Sequence, residues 1–374
     1  MNWIYSKWWK WLSVILLIYV TAGSFFIPLG PGITKVSPVA MYTDSVYTFE
    51  ITAYHSHFTD PKAGKVQLWF KNRNNYYSPL SFKVIDNDKA EAQFAVNVLQ
   101  QDSFRPGSID VVINDDLDGT FALRDAITLV KTQAADSTVS DSAKVGVALL
   151  TTTEPEVKSN HNNLTCFPYR EILYETIRNT FFHVPMWFAM TMLVFFSCIF
   201  SIRYLMGANS AAASSYDIVA EQSVVVAMLF GVCGYLTGLI WSKYTWYIGV
   251  SWGDVIRKLL LEDIKMAAAL VAMFFYFAYL IIRGAIADKK KRASISAIYN
   301  IFAFVIFILC VFVLPRLTDS MHPGNGGNPA FSKYDLDSTL RAFFYPAVIG
   351  WILLGFWILA VLIRLQLIQQ KQEQ

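Results

Sequence analysis

Six stretches of this chain are long and apolar enough to cross a bilayer, and that constrains its fold more than any other feature. A helical crossing of hydrocarbon about 30 Å thick takes about 20 mostly apolar residues. Residues of about 11–28, 183–206, 219–241, 266–286, 297–315 and 342–364 each meet that requirement. In lipid, backbone polar groups must be satisfied within the segment, which predicts a helical bundle. Composition agrees: 55% of the 374 residues are hydrophobic and 16% charged, against about 25% charged in soluble domains. A net charge of +3 supplies no polyanion-binding face, so the lipid bilayer is the expected partner and nucleic acid is not.

The first span is approached by Lys7, Trp8, Trp9, Lys10 and Trp11, an interfacial anchor. A cleaved signal peptide ending near Val20-Thr21-Ala22 fits the same stretch. Retention is favoured because the apolar run continues through Phe25, Phe26 and Ile27. The densest basic cluster, Arg283 with Lys289, Lys290, Lys291 and Arg292, lies between spans four and five. The positive-inside rule makes that loop cytoplasmic and, counting outward, both termini as well. Residues 29–182, 242–265 and 316–341 then face outward.

Within the first outer segment the pattern changes. Residues 31–133 carry short strand-like runs at Val46–Ile51, Lys65–Phe70, Ala92–Val96 and Ile109–Ile113, broken by Gly, Pro, Asn and Asp. This predicts a small β-sandwich, and Pro31-Gly32-Ile33-Thr34-Lys35-Val36-Ser37-Pro38 resembles the start of IPT/TIG-type immunoglobulin-like domains. Asn114-Asp115-Asp116-Leu117-Asp118-Gly119 has the look of a calcium loop but lacks the closing glutamate, and reads better as an acidic turn. His55 and His57 would share a face if a strand ran through them; without a third ligand they read as surface residues. Residues 134–165, rich in Ser, Thr, Ala and Asp, read as a linker.

Two of the five histidines are placed differently. His183 opens span two and His322 follows span five, both on the outer side by the topology count. Between spans three and four, the loop 241–265 gathers Trp241, Tyr244, Trp246, Tyr247 and Trp252 with Asp254 and Asp263. An aromatic interface belt explains the rings alone. A flat aromatic shelf beside two imidazoles also suits haem, whose iron takes two axial ligands. Lys243, Arg257, Lys265, Arg316 and Arg341 would serve its propionates.

Phe182-His183-Val184-Pro185, Thr237-Gly238-Leu239-Ile240-Trp241 with Thr245-Trp246, the Pro315 to His322 stretch and Arg341-Ala342-Phe343-Phe344-Tyr345-Pro346 carry a resemblance. On them the chain resembles the CcmC-like family of bacterial cytochrome c assembly, whose outer loop is the tryptophan-rich "WWD" domain. The resemblance covers span one and residues 166–364, with the β-domain as an insertion. The chain is then expected to divide into four parts: a first span at 1–30, an IPT/TIG-like periplasmic domain at 31–133, a linker at 134–165 and a five-span domain at 166–374, for which the resemblance implies haem handling. It implies haem b held by His183 and His322 as axial ligands at the outer face of the bacterial cytoplasmic membrane. It also implies presentation to a periplasmic, CcmE-like haem chaperone, with ATP-binding transporter subunits and a small membrane partner. The family loop runs Trp-Gly-x-x-Trp-x-Trp-Asp; here Tyr247 follows Trp246, and either Asp254 or Asp263 matches the aspartate.

No nucleophile–base pair or phosphate-cradling glycine loop stands in the outer segments, so the expected role is binding and presentation rather than catalysis. The competing reading is a membrane haem-b electron-transfer protein. Such proteins place ligands within their helices, and here the spans hold no histidine beyond His183 at an edge. A solute transporter is disfavoured because Arg203, Glu221 and Arg283 lie toward the cytoplasmic helix ends. No CxxCH occurs, so the chain is not itself a c-type cytochrome.

Overall fold

A computed structural model describes residues 6–42, 46–95, 107–130, 151–152, 156, 158, 166–318 and 336–372. The chain divides into two compact units: Met1–Ile27 with Glu175–Gln374, and Pro28–Tyr174.

The first unit is helical. It contains α1 (Trp8–Phe26), α2 (His183–Met206), α3 (Ala213–Thr245), α4 (Trp252–Leu261), α5 (Ile264–Ala285), α6 (Lys289–Ile308), α7 (Leu314–Leu317) and α8 (Ser338–Gln372). A 3₁₀ segment, Tyr174–Phe181, leads into α2, and a π-helical turn, Leu309–Val313, joins α6 to α7. Among the described residues, six helical segments are long and apolar enough to cross a membrane. They fall on the six apolar runs and extend past most of them: α3 begins at Ala213 and ends at Thr245.

Packing is close where side chains are small. Leu17 of α1 seats against Gly350 of α8, where a Cβ would come within 3.1 Å of it, and Ser13 Oγ donates to the Gly350 carbonyl at 3.0 Å. Small residues that let backbones approach are the usual means by which apolar helices associate. Met190, Leu193, Val224, Ala227, Ala272 and Phe307 sit in the common core. Polar ties cross it. Asn300 Nδ2 donates to Ser197 Oγ (2.7 Å) and Ser201 Oγ (2.8 Å), and Gln222 Nε2 to Gln366 Oε1 (2.6 Å). The strongest tie is ionic. The guanidinium of Arg283 meets Asp217 through both terminal nitrogens (2.8 and 2.6 Å) and Glu221 through Nε and Nη2 (2.9 and 3.0 Å).

The second unit has two sheets. β1 (Gly32–Ser37), β3 (Val46–Tyr54), β7 (Lys89–Ala95) and β6 (Ser81–Val84) form one antiparallel sheet in the order β1-β3-β7-β6. The other has the order β10-β5-β4-β8-β9-β2, from β10 (Thr151–Thr152), β5 (Asn75–Tyr77), β4 (Gln67–Asn72), β8 (Gly107–Asp115), β9 (Gly119–Val130) and β2 (Ala40–Tyr42). β2 runs parallel to β9, while the other pairs are antiparallel. Alternation fills the core: Phe49, Ile51, Phe70, Phe94, Val111 and Ile113 are fully buried, with Phe70 stacked on Phe94 at 4.1 Å between ring centres.

No strand runs through His55 and His57. β3 ends at Tyr54 and His55 takes a positive φ of 51°, which turns the chain between them. His55 Nδ1 lies 3.0 Å from the Leu29 carbonyl, whereas His57 Nδ1 lies 2.9 Å from Asp118 Oδ1. The acidic segment is the β8–β9 hairpin turn, in which Asp115 Oδ1 accepts from Leu117 N (2.8 Å) and Asp118 N (2.6 Å). Burial holds the Asp115 carboxyl above the ordinary carboxylate range, and the Asp118 and Asp116 charges add to this. Its raised folded-state pKa means that ionisation costs stability. That cost is absent below the unfolded pKa and grows as pH rises through the folded one. Asp115→Asn is therefore expected to gain stability relative to the native protein between pH 4 and pH 7, as measured by denaturant midpoints at the two pH values.

Candidate functional site

His183 is the first residue of α2, and only Phe182 separates it from the 3₁₀ segment. Its Nδ1 lies 2.9 Å from the Gly234 carbonyl and 3.2 Å from Thr237 Oγ1. A carbonyl only accepts, so Nδ1 carries a proton. Thr237 Oγ1 donates on to the Cys233 and Gly234 carbonyls (2.8 and 2.9 Å). Trp241 meets the imidazole edge-on, with ring centres 5.6 Å apart at 76°, and Trp187 does so at 6.5 Å and 76°. The residue is 8% exposed.

The spacing of α3 builds this seat. Gly234, Thr237, Gly238, Trp241 and Thr245 recur at three- and four-residue intervals and so share a face. Trp241 Nε1 donates to Thr176 Oγ1 (3.1 Å), which also lies 3.2 Å from Thr245 Oγ1, and Asn179 Nδ2 donates to the Thr237 carbonyl (3.2 Å). The 3₁₀ segment is thereby fastened to α3, with His183 just beyond its end.

Gly238 is required by this contact. A Cβ there would stand 2.6 Å from His183 Cε1, closer than carbon atoms pack. Gly238→Ala is expected to displace the ring, break the Nδ1 bond and cost about 1–3 kcal/mol, the range for forced overpacking. Thermal unfolding of the detergent-solubilised protein would measure it; an unchanged midpoint would mean that the ring moves aside freely.

The segment between α3 and α5 is not one open loop. Its centre is α4, whose Val255 and Leu259 are buried with Met266 against Tyr235, Leu239 and Tyr247. Ser251 caps α4 reciprocally with Asp254: Ser251 Oγ donates to Asp254 Oδ2 (2.8 Å) and accepts from Asp254 N (3.2 Å). The outward side of α4 carries Trp252, Ile256 and Leu260, all exposed, as in a helix lying along an interface.

The residues singled out by sequence fall in different places. Trp241 joins His183. Trp246 is the C-cap residue of α3. Trp252 packs against Tyr244 at 6.4 Å and under Lys243 Nζ at 5.8 Å. Asp254 pairs with Arg257 at 3.7 Å on an exposed surface. Asp263 is 6% exposed and caps α5, accepting from Lys265 N and Met266 N. Asp263 thus caps a helix, while the Asp254 carboxylate holds the hydroxyl of the capping Ser251. Lys243 Nζ donates to the Tyr247 and Val250 carbonyls, so its charge is already engaged. Arg316 is exposed in α7, and Arg341 is half-buried in the first turn of α8. His322 lies outside the described residues. Sequence reasoning assigned no role to Gly234, Thr176 or Asn179; backbone acceptors and short polar side chains carry no distinctive pattern.

A cleft of about 330 Å³, lined in part by Trp241 and Phe182, opens between the end of α1, the 3₁₀ segment and the end of α3. No group of three or more His, Cys, Asp or Glu side chains suited to a metal ion occurs among the described residues. No family model matches this chain, and no curated protein is similar to it.

Proposed function

We propose that this chain binds haem b at the outer face of a bacterial cytoplasmic membrane and presents it to a periplasmic haem chaperone for cytochrome c maturation. His183 and His322 would be the axial ligands. The observation that supports the reading is the His183 imidazole: Nδ1 is set against the Gly234 carbonyl, so Nε2 would be the nitrogen to turn to iron. Metal-ligating histidines characteristically donate their other N–H to a carbonyl or carboxylate in this way. The donor set therefore fits one axial position on iron. The haem would supply the redox-active iron; the chain's part is to orient a ligand and exclude water.

Several other features support the reading. Trp241 and Trp187 give the imidazole an apolar surround of the kind that shields a ligand bond from water. Arg316 and Arg341 would serve the propionates. The six apolar helices support insertion in a membrane, with the exposed Trp252, Ile256 and Leu260 of α4 at its surface. A chaperone of the CcmE type, ATP-binding transporter subunits and a small membrane protein would be the partners, and the chain would break no bonds itself. The test is the absorption spectrum of the full chain purified in detergent and supplemented with haem. A low-spin, two-imidazole spectrum is expected, and a protein that stays colourless overturns the reading.

A further inference from the structure

The cleft next to Trp241 is distinct from the imidazole seat, and its chemistry points to a different ligand. Its walls are aromatic and come from three elements: Phe25 of α1, Phe182 after the 3₁₀ segment, and Trp241 and Tyr244 of α3. Of the lining side chains, Ile240, Tyr244 and Phe25 are 52%, 59% and 73% exposed. At about 330 Å³ it holds the volume of roughly eleven water molecules at about 30 Å³ each. That is room enough for a single substituted ring.

Its electrostatics narrow the ligand further. The one cation in the lining is Arg178. Its Nη1 donates to the Ser24 and Ile27 carbonyls at the end of α1, and its Nε to Glu175 Oε2. Those carbonyls lie at the negative end of the helix dipole, so the guanidinium is balanced by a carboxylate and a helix terminus. No uncompensated positive charge faces a bound anion. The other polar groups, Thr176 and Asn179, are neutral and tied to α3. The lining is therefore mainly aromatic, and its polar groups include the neutral Thr176 and Asn179 and the internally balanced Arg178–Glu175 pair.

We propose that this cleft binds an uncharged amphiphile headed by one planar ring, of the quinone class. The ring would lie among Phe182, Trp241 and Tyr244, and its tail would leave past Ile240 and Phe25. Entry from lipid rests on the membrane placement proposed above; binding itself does not depend on haem at His183.

The test uses the full chain purified in detergent without haem and decylubiquinone as the probe, followed by quenching of tryptophan fluorescence. A single saturable phase is expected. Ile240→Trp fills the cleft from an exposed position and is expected to weaken binding by more than about tenfold, with helical circular dichroism and gel-filtration volume unchanged. Added phosphatidylglycerol is expected not to compete. Absence of saturation, equal affinity in the Ile240→Trp protein, or displacement by phosphatidylglycerol would each overturn the proposal. Since no haem is present, none of these outcomes bears on the iron site.

Discussion

Replacing Arg283 with methionine is expected to destabilise the helical unit by about 3–5 kcal/mol, the cost of breaking a buried ion pair from one side. The Arg283 side chain is 5% exposed, and both edges of its guanidinium are matched by carboxylates on α3. Methionine would fill much of the same volume but leave Asp217 and Glu221 facing each other without a cation. That loss is a large share of the 5–15 kcal/mol that holds a typical domain together. Two further variants separate charge from packing. Arg283→Lys offers one point donor in place of a planar fork and is expected to recover only part of the loss. The triple variant R283M/D217N/E221Q removes all three charges and is expected to recover most of it. The measurement is the thermal midpoint of the detergent-solubilised protein by gel filtration after heating. If R283M melts with the native protein, the cluster is not what ties α3 to α5.

That cluster also shows why the helix ends were harder to read than the helix centres. The apolar runs stand out because every residue in them avoids water for the same reason. Asp217 and Glu221 look like the end of such a run, yet they lie within α3 because Arg283 neutralises them from α5. The pairing spans more than sixty residues of sequence and leaves no local trace. In the β-unit, β3, β4, β7 and β8 follow the alternation visible in the sequence. β9 was not visible because Arg124 and Asp125 interrupt its pattern, at the place where the ladder shifts register opposite Asp110. Asp125 takes a φ of 51° there, and its N–H bonds Asp110 Oδ1 at 2.9 Å. The three-residue β2 is too short to carry a period. α4 did have a signature, Val255 and Leu259 four apart behind the Ser251–Asp254 capping pair, but it was masked by the aromatic residues around it. At the site, His183 and Trp241 were legible as unusual residues at a helix edge. The Gly234 carbonyl that sets the imidazole's proton was not, because every residue has a carbonyl and only the fold selects one.

Changing His183 and His322 together to alanine is expected to abolish the low-spin haem spectrum of the supplemented protein. Changing His183 alone should convert it to a spectrum with one strong axial ligand. With Nδ1 against the Gly234 carbonyl, Nε2 is the proposed iron-binding nitrogen, so alanine would remove the donor itself rather than a support for it. His183 is nearly enclosed, with Trp241, Trp187 and Gly238 around the ring, so its removal leaves an imidazole-sized hole between rigid walls. Such a hole can be refilled. His183→Gly with imidazole added to the buffer is expected to restore the low-spin spectrum, whereas His183→Phe, which fills the space without a nitrogen, is not. This pair of variants separates ligation from packing. A residue needed only to hold α2 against α3 would be rescued by phenylalanine and indifferent to imidazole. Gel-filtration volume shows whether each variant keeps its fold, and absorption spectra at fixed haem report the ligand. A native spectrum in the double variant would remove both histidines from the iron site, and with them the proposed function.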